Sequence, residues 1–142
     1  MVQAGRVREP EADPWRHPDL EVRASDVAGR GGFAASPIPA GTVVLRPVGP
    51  VHERGLLNHG CDPNLGWAGE ELVTLRDVAA DEELLVDYAL STVDPAYYLR
   101  CHCPSQRCRQ MVEGTDWQIP QLQRRYAGHW APHVQLLLDD LP

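Results

Sequence analysis

Lysine is absent from the 142 residues, so all 13 basic side chains are arginine. Against 20 acidic residues they leave a net charge of -7, and no cationic stripe stands out. Phosphate neutralisation needs clustered cations, so direct nucleic-acid binding is not expected. A cationic partner is favoured instead. No apolar run approaches the roughly 20 residues that a bilayer-crossing helix needs. The first 20 residues are polar, acidic and broken by proline rather than signal-like. Together these absences predict a cytoplasmic protein without a membrane partner. No tandem repeat is present, and the exclusive use of arginine reads as the codon bias of a GC-rich bacterial genome.

The length fits one domain. With 43% hydrophobic and 23% charged residues the composition is that of a globular chain, which excludes disorder throughout. Scattered prolines and glycines favour short strands joined by turns over long helices. Residues 1–20 carry neither helical nor strand period and read as an arm. Glu21 to Ser25 is a strand candidate, and Ala28-Gly29-Arg30-Gly31-Gly32-Phe33 is a tight glycine turn leading into a second. Further strands are expected over Thr42 to Leu45, Glu71 to Asp77 and Glu83 to Tyr88. A period of two places Leu84, Val86 and Tyr88 on one face of the last, and Glu83, Leu85 and Asp87 on the other. Pro120 and Pro132 are placed as first-turn residues of short helices reaching Arg125 and Asp139. Leu122, Tyr126, Trp130, Val134 and Leu138 recur every four residues, an apolar stripe suited to packing on the β core.

Cys101-x-Cys103-x4-Cys108 places three thiols within eight residues, and Cys61 lies forty residues upstream. Four thiolates suit a closed tetrahedral Zn2+ site, structural because no position is left for water. Disulfides are the alternative, disfavoured in a cytosolic chain and by the poor geometry of a Cys-x-Cys bridge. His102 is an alternative ligand to one of the sulfurs.

Four stretches now stand in order: Gly29-Arg30-Gly31-Gly32-Phe33-Ala34, Asn58-His59-Gly60-Cys61-Asp62-Pro63-Asn64, Glu83-Leu84-Leu85-Val86-Asp87-Tyr88 and Cys101-x-Cys103-x4-Cys108-Arg109. They resemble the motifs of SET-domain protein-lysine methyltransferases with a post-SET zinc segment, over roughly residues 20 to 114. The resemblance implies a mainly β, SET-type β-clip fold of small sheets, with the Asn58 segment threaded near the Glu83 to Tyr88 strand in a pseudoknot. It divides the chain into an N-terminal arm (1–20), a SET domain (21–95), a post-SET zinc segment (96–114) and a C-terminal helical extension (115–142). S-adenosylmethionine is implied as methyl donor. By position, the backbone of Gly29, Arg30 and Gly31 approaches that donor, Asn58 and His59 bind its amino-acid and adenine parts, and Tyr88 is both a donor contact and the active-site tyrosine. Cys61 becomes the fourth zinc ligand beside Cys101, Cys103 and Cys108.

The acceptor implied is an exposed lysine of a basic protein or peptide, which this lysine-free chain cannot supply to itself. Three departures bear on it. Only 25 residues, Phe33 to Leu57, separate Gly32 from Asn58, which implies a short or open substrate groove. No tyrosine precedes Tyr88, and Val86 stands where Phe or Tyr tunes the number of methyls. Trp67, Trp117 and Trp130 are candidates for aromatic walls or for core. Tyr97 and Tyr98 are candidates for lining a channel or for plain packing. Two other functions remain open: a zinc-stapled binding module without turnover, and a methyltransferase acting on a small amine. A truncated groove completed by a second subunit would make the protein a homodimer rather than a monomer.

Overall fold

The computed structural model describes residues 15–53 and 56–142. In chain order the strands are β1 (Trp15–Arg16), β2 (Leu20–Ala24), β3 (Arg30–Ala34), β4 (Val43–Arg46), β5 (Asn58–His59), β6 (Leu65–Ala68), β7 (Glu71–Thr74), β8 (Glu83–Val86), β9 (Tyr98–Arg100) and β10 (Met111–Glu113). Short 3-10 turns cover Val51–Glu53, Tyr88–Leu90 and Asp116–Gln118, and two helices follow, α1 (Pro120–Arg125) and α2 (Pro132–Asp139). The fold is mainly β, and among the described residues no helix is long and apolar enough to cross a membrane.

Eight strands form one sheet in the order β1-β4-β7-β6-β8-β3-β2, with β5 added on β8, while β9 and β10 make a separate hairpin. Among the described residues the β2–β3, β6–β7 and β9–β10 pairs join strands consecutive in the chain, and the other pairs join distant ones. β2 and β3 are joined across Gly29, whose φ of 44° is a left-handed value that glycine adopts without strain. β6 and β7 are joined by the two residues Gly69 and Glu70, again with a positive φ of 60° at the glycine. β8 runs parallel to both β5 and β6, with Asn58 opposite Leu85, His59 opposite Val86 and Leu65 opposite Val86.

Leu84 and Val86 are fully buried, as the alternation along β8 requires. That alternation ends at Asp87, which is buried rather than turned to the opposite, more exposed face. The strand stops there because the Asp87 side chain accepts the Ala89 N–H at 2.9 Å and opens the Tyr88–Leu90 turn. Trp15–Arg16, expected within the arm, is instead a strand, with Trp15 opposite Arg46 and the Arg46 guanidinium over the indole ring. Residues 1–14 of that arm lie outside the described residues. Strand β6 and the β9–β10 hairpin carry too few β-branched residues to be read from sequence alone.

Both helices begin at their prolines, where the missing N–H costs nothing. Leu122, Tyr126, Trp130 and Val134 are buried and Leu138 is partly so, burial that is worth about 1.5–3 kcal/mol for each large aliphatic side chain. The segment between the helices is stitched to the sheet by Trp67 N–H to the His129 carbonyl at 3.0 Å and by Ala131 N–H to the Leu90 carbonyl at 3.0 Å.

Candidate functional site

The Sγ atoms of Cys61, Cys101, Cys103 and Cys108 lie within 4.8 Å of one another. Cys61 and Cys101 sulfurs are 3.9 Å apart, far too long for a disulfide, and all four thiols are free. A tetrahedral ion with metal–sulfur bonds of about 2.3 Å has sulfur–sulfur edges of about 3.8 Å, so this spacing fits a divalent cation. The exposed His102 is outside the cluster. Two donors point at Cys61 Sγ: the Arg109 N–H at 3.3 Å and the His59 ring at 3.3 Å. Without a cation, burial pushes the Cys61 thiol up to about 11. A bound cation would favour the thiolate form, and a metal ion such as zinc can be held here.

The His59 imidazole is 3% exposed and connects this cluster to Tyr88. Its Nδ1 accepts the Tyr88 backbone N–H at 3.0 Å, which leaves the ring proton on Nε2, facing Cys61 Sγ. Burial pushes the ring down to about 4, against the pull of Asp87, so it is neutral at physiological pH. The Tyr88 ring stands edge-on to His59 at 5.4 Å between centroids. Its hydroxyl donates to the Leu57 carbonyl at 2.6 Å, and burial raises the phenol well above its ordinary range.

On the other side of β5, the Asn58 Nδ2 group lies 2.9 Å from the Ala28 carbonyl, 3.2 Å from the Arg30 carbonyl, 2.9 Å from Glu83 Oε2 and 3.1 Å from Ser25 Oγ. A Cβ at Gly31 would overlap Glu83 Oε2 and stand 2.9 Å from Asn58 Nδ2, so these side-chain ends would have to shift to admit one. Asn58 thus meets the hairpin at the Ala28 and Arg30 carbonyls and beside Gly31, whereas the Gly29 carbonyl accepts the Ser25 N–H and the Arg30 side chain is exposed. Asn64 is 2% exposed and holds β8 in place, accepting the Leu85 N–H at 2.8 Å and donating to the Glu83 carbonyl at 2.9 Å.

Sequence reasoning missed the polar network behind Tyr88. The Arg109 guanidinium reaches Asp87 at 2.7 and 3.0 Å and Asp116 at 3.0 and 3.2 Å, and the Tyr126 hydroxyl donates to Asp87 at 2.8 Å. Burial pushes the Asp87 carboxyl up, but the hydrogen bonds and charge of Arg109 outweigh it and hold Asp87 below its ordinary value. The sequence signal was adjacency alone: Asp87 precedes Tyr88 and Arg109 follows Cys108. Ser25 and Glu83, which share hydrogen bonds at 2.8 and 2.9 Å, carried no signal.

Of the aromatic candidates, Trp130 packs edge-on against Tyr126 in the core and Trp117 is half-buried against it. Tyr97 stands 4.9 Å from the His52 ring, which in turn is 6.0 Å from Tyr88, whereas Tyr98 is 71% exposed. Trp67 lines a cleft of about 590 Å³ with His52, Glu70, Ser91, Asp94 and Pro132 among its other residues.

No family model matches the chain. Over 69 residues it is 38% identical to the histone-lysine N-methyltransferase ATX2 of Arabidopsis thaliana, a match that covers 43% of this chain. The chain spans about 6% of the length of that relative. A partial likeness to a histone-lysine methyltransferase therefore coincides with a mainly β fold and a cluster of four cysteines able to hold a metal ion.

Proposed function

We propose that the protein is an S-adenosylmethionine-dependent methyltransferase of the SET type acting on a protein lysine, with one structural Zn2+ on Cys61, Cys101, Cys103 and Cys108. The observation that carries this reading is the parallel pairing of Asn58 and His59 with Leu85 and Val86. It gathers the Gly29–Gly31 turn, Tyr88 and Cys61 around one two-residue strand, as a pseudoknotted SET domain over 21–95 with a post-SET segment over 96–114 would.

The residues present fit the roles. Bound S-adenosylmethionine supplies a methyl group on a sulfonium. The Gly29–Gly31 backbone allows close approach, and Asn58, its Nδ2 engaged by the hairpin, offers Oδ1 to an amino group. With both ring nitrogens occupied, His59 contributes by holding Tyr88 and by its backbone. A lysine amine must be neutral to act as nucleophile, which near pH 7 costs about 4–5 kcal/mol. Tyr88 stays protonated and donates a hydrogen bond to the Leu57 carbonyl, which leaves its oxygen lone pairs to accept an amine N–H. Its work is orientation, not general-base catalysis.

Tyr88 is only 7% exposed, and that burial favours one alternative, a zinc-stapled binding module without turnover. Calorimetric titration of the zinc-loaded protein with S-adenosylmethionine, followed by methyl transfer to a lysine peptide, separates the two. One-site binding, transfer, and a Tyr88→Phe variant that loses turnover while keeping donor affinity within a few fold support the enzyme. A folded, metal-replete protein that binds no donor overturns it.

A further inference from the structure

We infer that the His59 imidazole is a positioning group shared by the cysteine cluster and Tyr88. By donating Nε2–H to Cys61 Sγ while Nδ1 holds the Tyr88 N–H, it links metal affinity at the cysteines to the order of the Tyr88–Leu90 turn. The inference rests on the metal reading of the four cysteines and is independent of methyl transfer. The arrangement begins in the chain itself. His59 and Cys61 are alternate residues of one segment whose pairing with β8 continues past β5, through the Gly60 N–H to the Val86 carbonyl at 3.1 Å. Alternate residues of an extended chain share a face, so ring and sulfur stand side by side. Both are buried.

The partners decide which nitrogen carries the ring proton. A backbone N–H can only donate, so Nδ1, 3.0 Å from the Tyr88 nitrogen, is the bare one. Asp87 Oδ1 is 3.6 Å from Nδ1, too far to hold a proton there by a hydrogen bond. The proton is therefore on Nε2 and faces Cys61 Sγ at 3.3 Å. A sulfur that carries a cation is an anionic acceptor, and a hydrogen bond to it is charge-assisted. Chelation removes that assistance. The ring is then held from the Tyr88 side alone.

A second path runs beside the first. The Arg109 N–H also donates to Cys61 Sγ at 3.3 Å, and its guanidinium grips Asp87, the residue before Tyr88. One sulfur is thus reached by two donors whose far ends hold adjacent residues at the start of the turn. Arg109 meets the sulfur with its backbone, which no side-chain change removes, so His59 is the group whose effect a substitution isolates. Losing such an outer partner of a metal ligand costs about 10–100-fold in metal affinity. Linkage is reciprocal, so a contact that strengthens metal binding is also one through which metal binding steadies Tyr88.

The test uses the full chain with Zn2+ and Co2+ as probes and needs neither methyl donor nor acceptor. Chelator competition gives metal affinity, the sulfur-to-cobalt charge-transfer band reports hydrogen bonding at the thiolates, and hydrogen exchange by NMR follows the Tyr88 amide. His59→Asn puts an amide oxygen where Nδ1 stands and nothing at Nε2, whereas His59→Gln puts its amide near Nε2 and leaves the Nδ1 position empty. The Asn variant is expected to keep Tyr88 protected, to bind metal about tenfold more weakly, and to move the cobalt band to lower energy. The Gln variant is expected to bind metal within a few fold of wild type while its Tyr88 amide exchanges faster and no longer responds to metal. Both variants losing both properties alike would mark a merely structural histidine and overturn the inference. Wild type decides the matter even where a variant does not fold. There, chelation should accelerate Tyr88 exchange about tenfold more than exchange in β7, and the ring nitrogen shifts of the zinc form should show the proton on Nε2. A Tyr88 amide no more responsive than β7, or a proton on Nδ1, sinks the inference and leaves the metal site standing. A chain that binds neither Zn2+ nor Co2+ overturns both.

Discussion

Arg109 grips the buried Asp87 carboxylate with two nitrogens, at 2.7 and 3.0 Å. One residue directly follows a cysteine of the metal cluster and the other directly precedes Tyr88. The ion pair therefore couples the end of the chain's cysteine segment to the end of β8, across a part of the core that Tyr126 and Asp116 close off.

Arg109→Ala leaves the Asp87 carboxylate buried with hydrogen bonds from Ala89 and Tyr126 but no countercharge. Removing one partner of a buried pair costs about 3–5 kcal/mol. Urea unfolding of zinc-saturated protein measures this, and a loss below about 1 kcal/mol would show that the pair does not hold the segment to the sheet.

Acid should remove the same contribution. Because the folded Asp87 carboxyl sits below its ordinary value, its stabilisation is complete above the unfolded pKa of about 4 and is lost as the pH falls through the folded value. Asp87→Asn is expected to be less stable than wild type near neutrality, with the difference narrowing below about pH 4. Comparing variants cancels the thiol protonation common to both. A gap that stays constant with pH would contradict the assigned direction.

Metal removal should loosen the β9–β10 region before the sheet. Cys101, Cys103 and Cys108 belong to that segment and meet the sheet through Cys61. After chelation, hydrogen exchange over residues 98–113 is expected to accelerate well before exchange over β4, β7 and β6. Uniform acceleration would mean that the cluster supports the whole fold instead, and unchanged exchange with zinc gone would deny it a structural role.

Gly114→Ala should be strongly destabilising. An added Cβ would overlap the Asp94 carbonyl oxygen, a backbone atom that cannot swing aside, and would part the β10 end from the loop it rests on. A loss of about 1–3 kcal/mol is expected for such overpacking, read as a lower urea midpoint. Gly69→Ala is a useful contrast: nothing lies within 4 Å of its added Cβ, so only the strain at a φ of 60° remains.

Much of the outline was legible because it is local. The glycine turn between β2 and β3, the proline starts of α1 and α2, and the buried stripe from Leu122 to Val134 each depend on residues within a few positions of one another. Strand β8 was legible up to Val86. The burial of Asp87 just beyond it was not, because the partner of that carboxylate is Arg109, 22 residues away. The β9–β10 hairpin was hidden for the same reason: its pairing runs from Tyr98 opposite Glu113 to Arg100 opposite Met111, around a loop that the cysteines organise.

By itself the sequence determined the mainly β character, the two short helices and the grouping of four thiols, since turn chemistry, apolar period and cysteine spacing are written in neighbouring residues. Only the tertiary structure decided that His59 stands between Cys61 and Tyr88, that Asn58 is engaged by the Gly29–Gly31 hairpin, and that the start of α2 walls a cleft with Glu70 and Asp94 at its edge. Those relationships depend on a parallel pairing and a C-terminal docking between distant segments. Their register is set by packing and hydrogen-bond satisfaction, which no local pattern encodes.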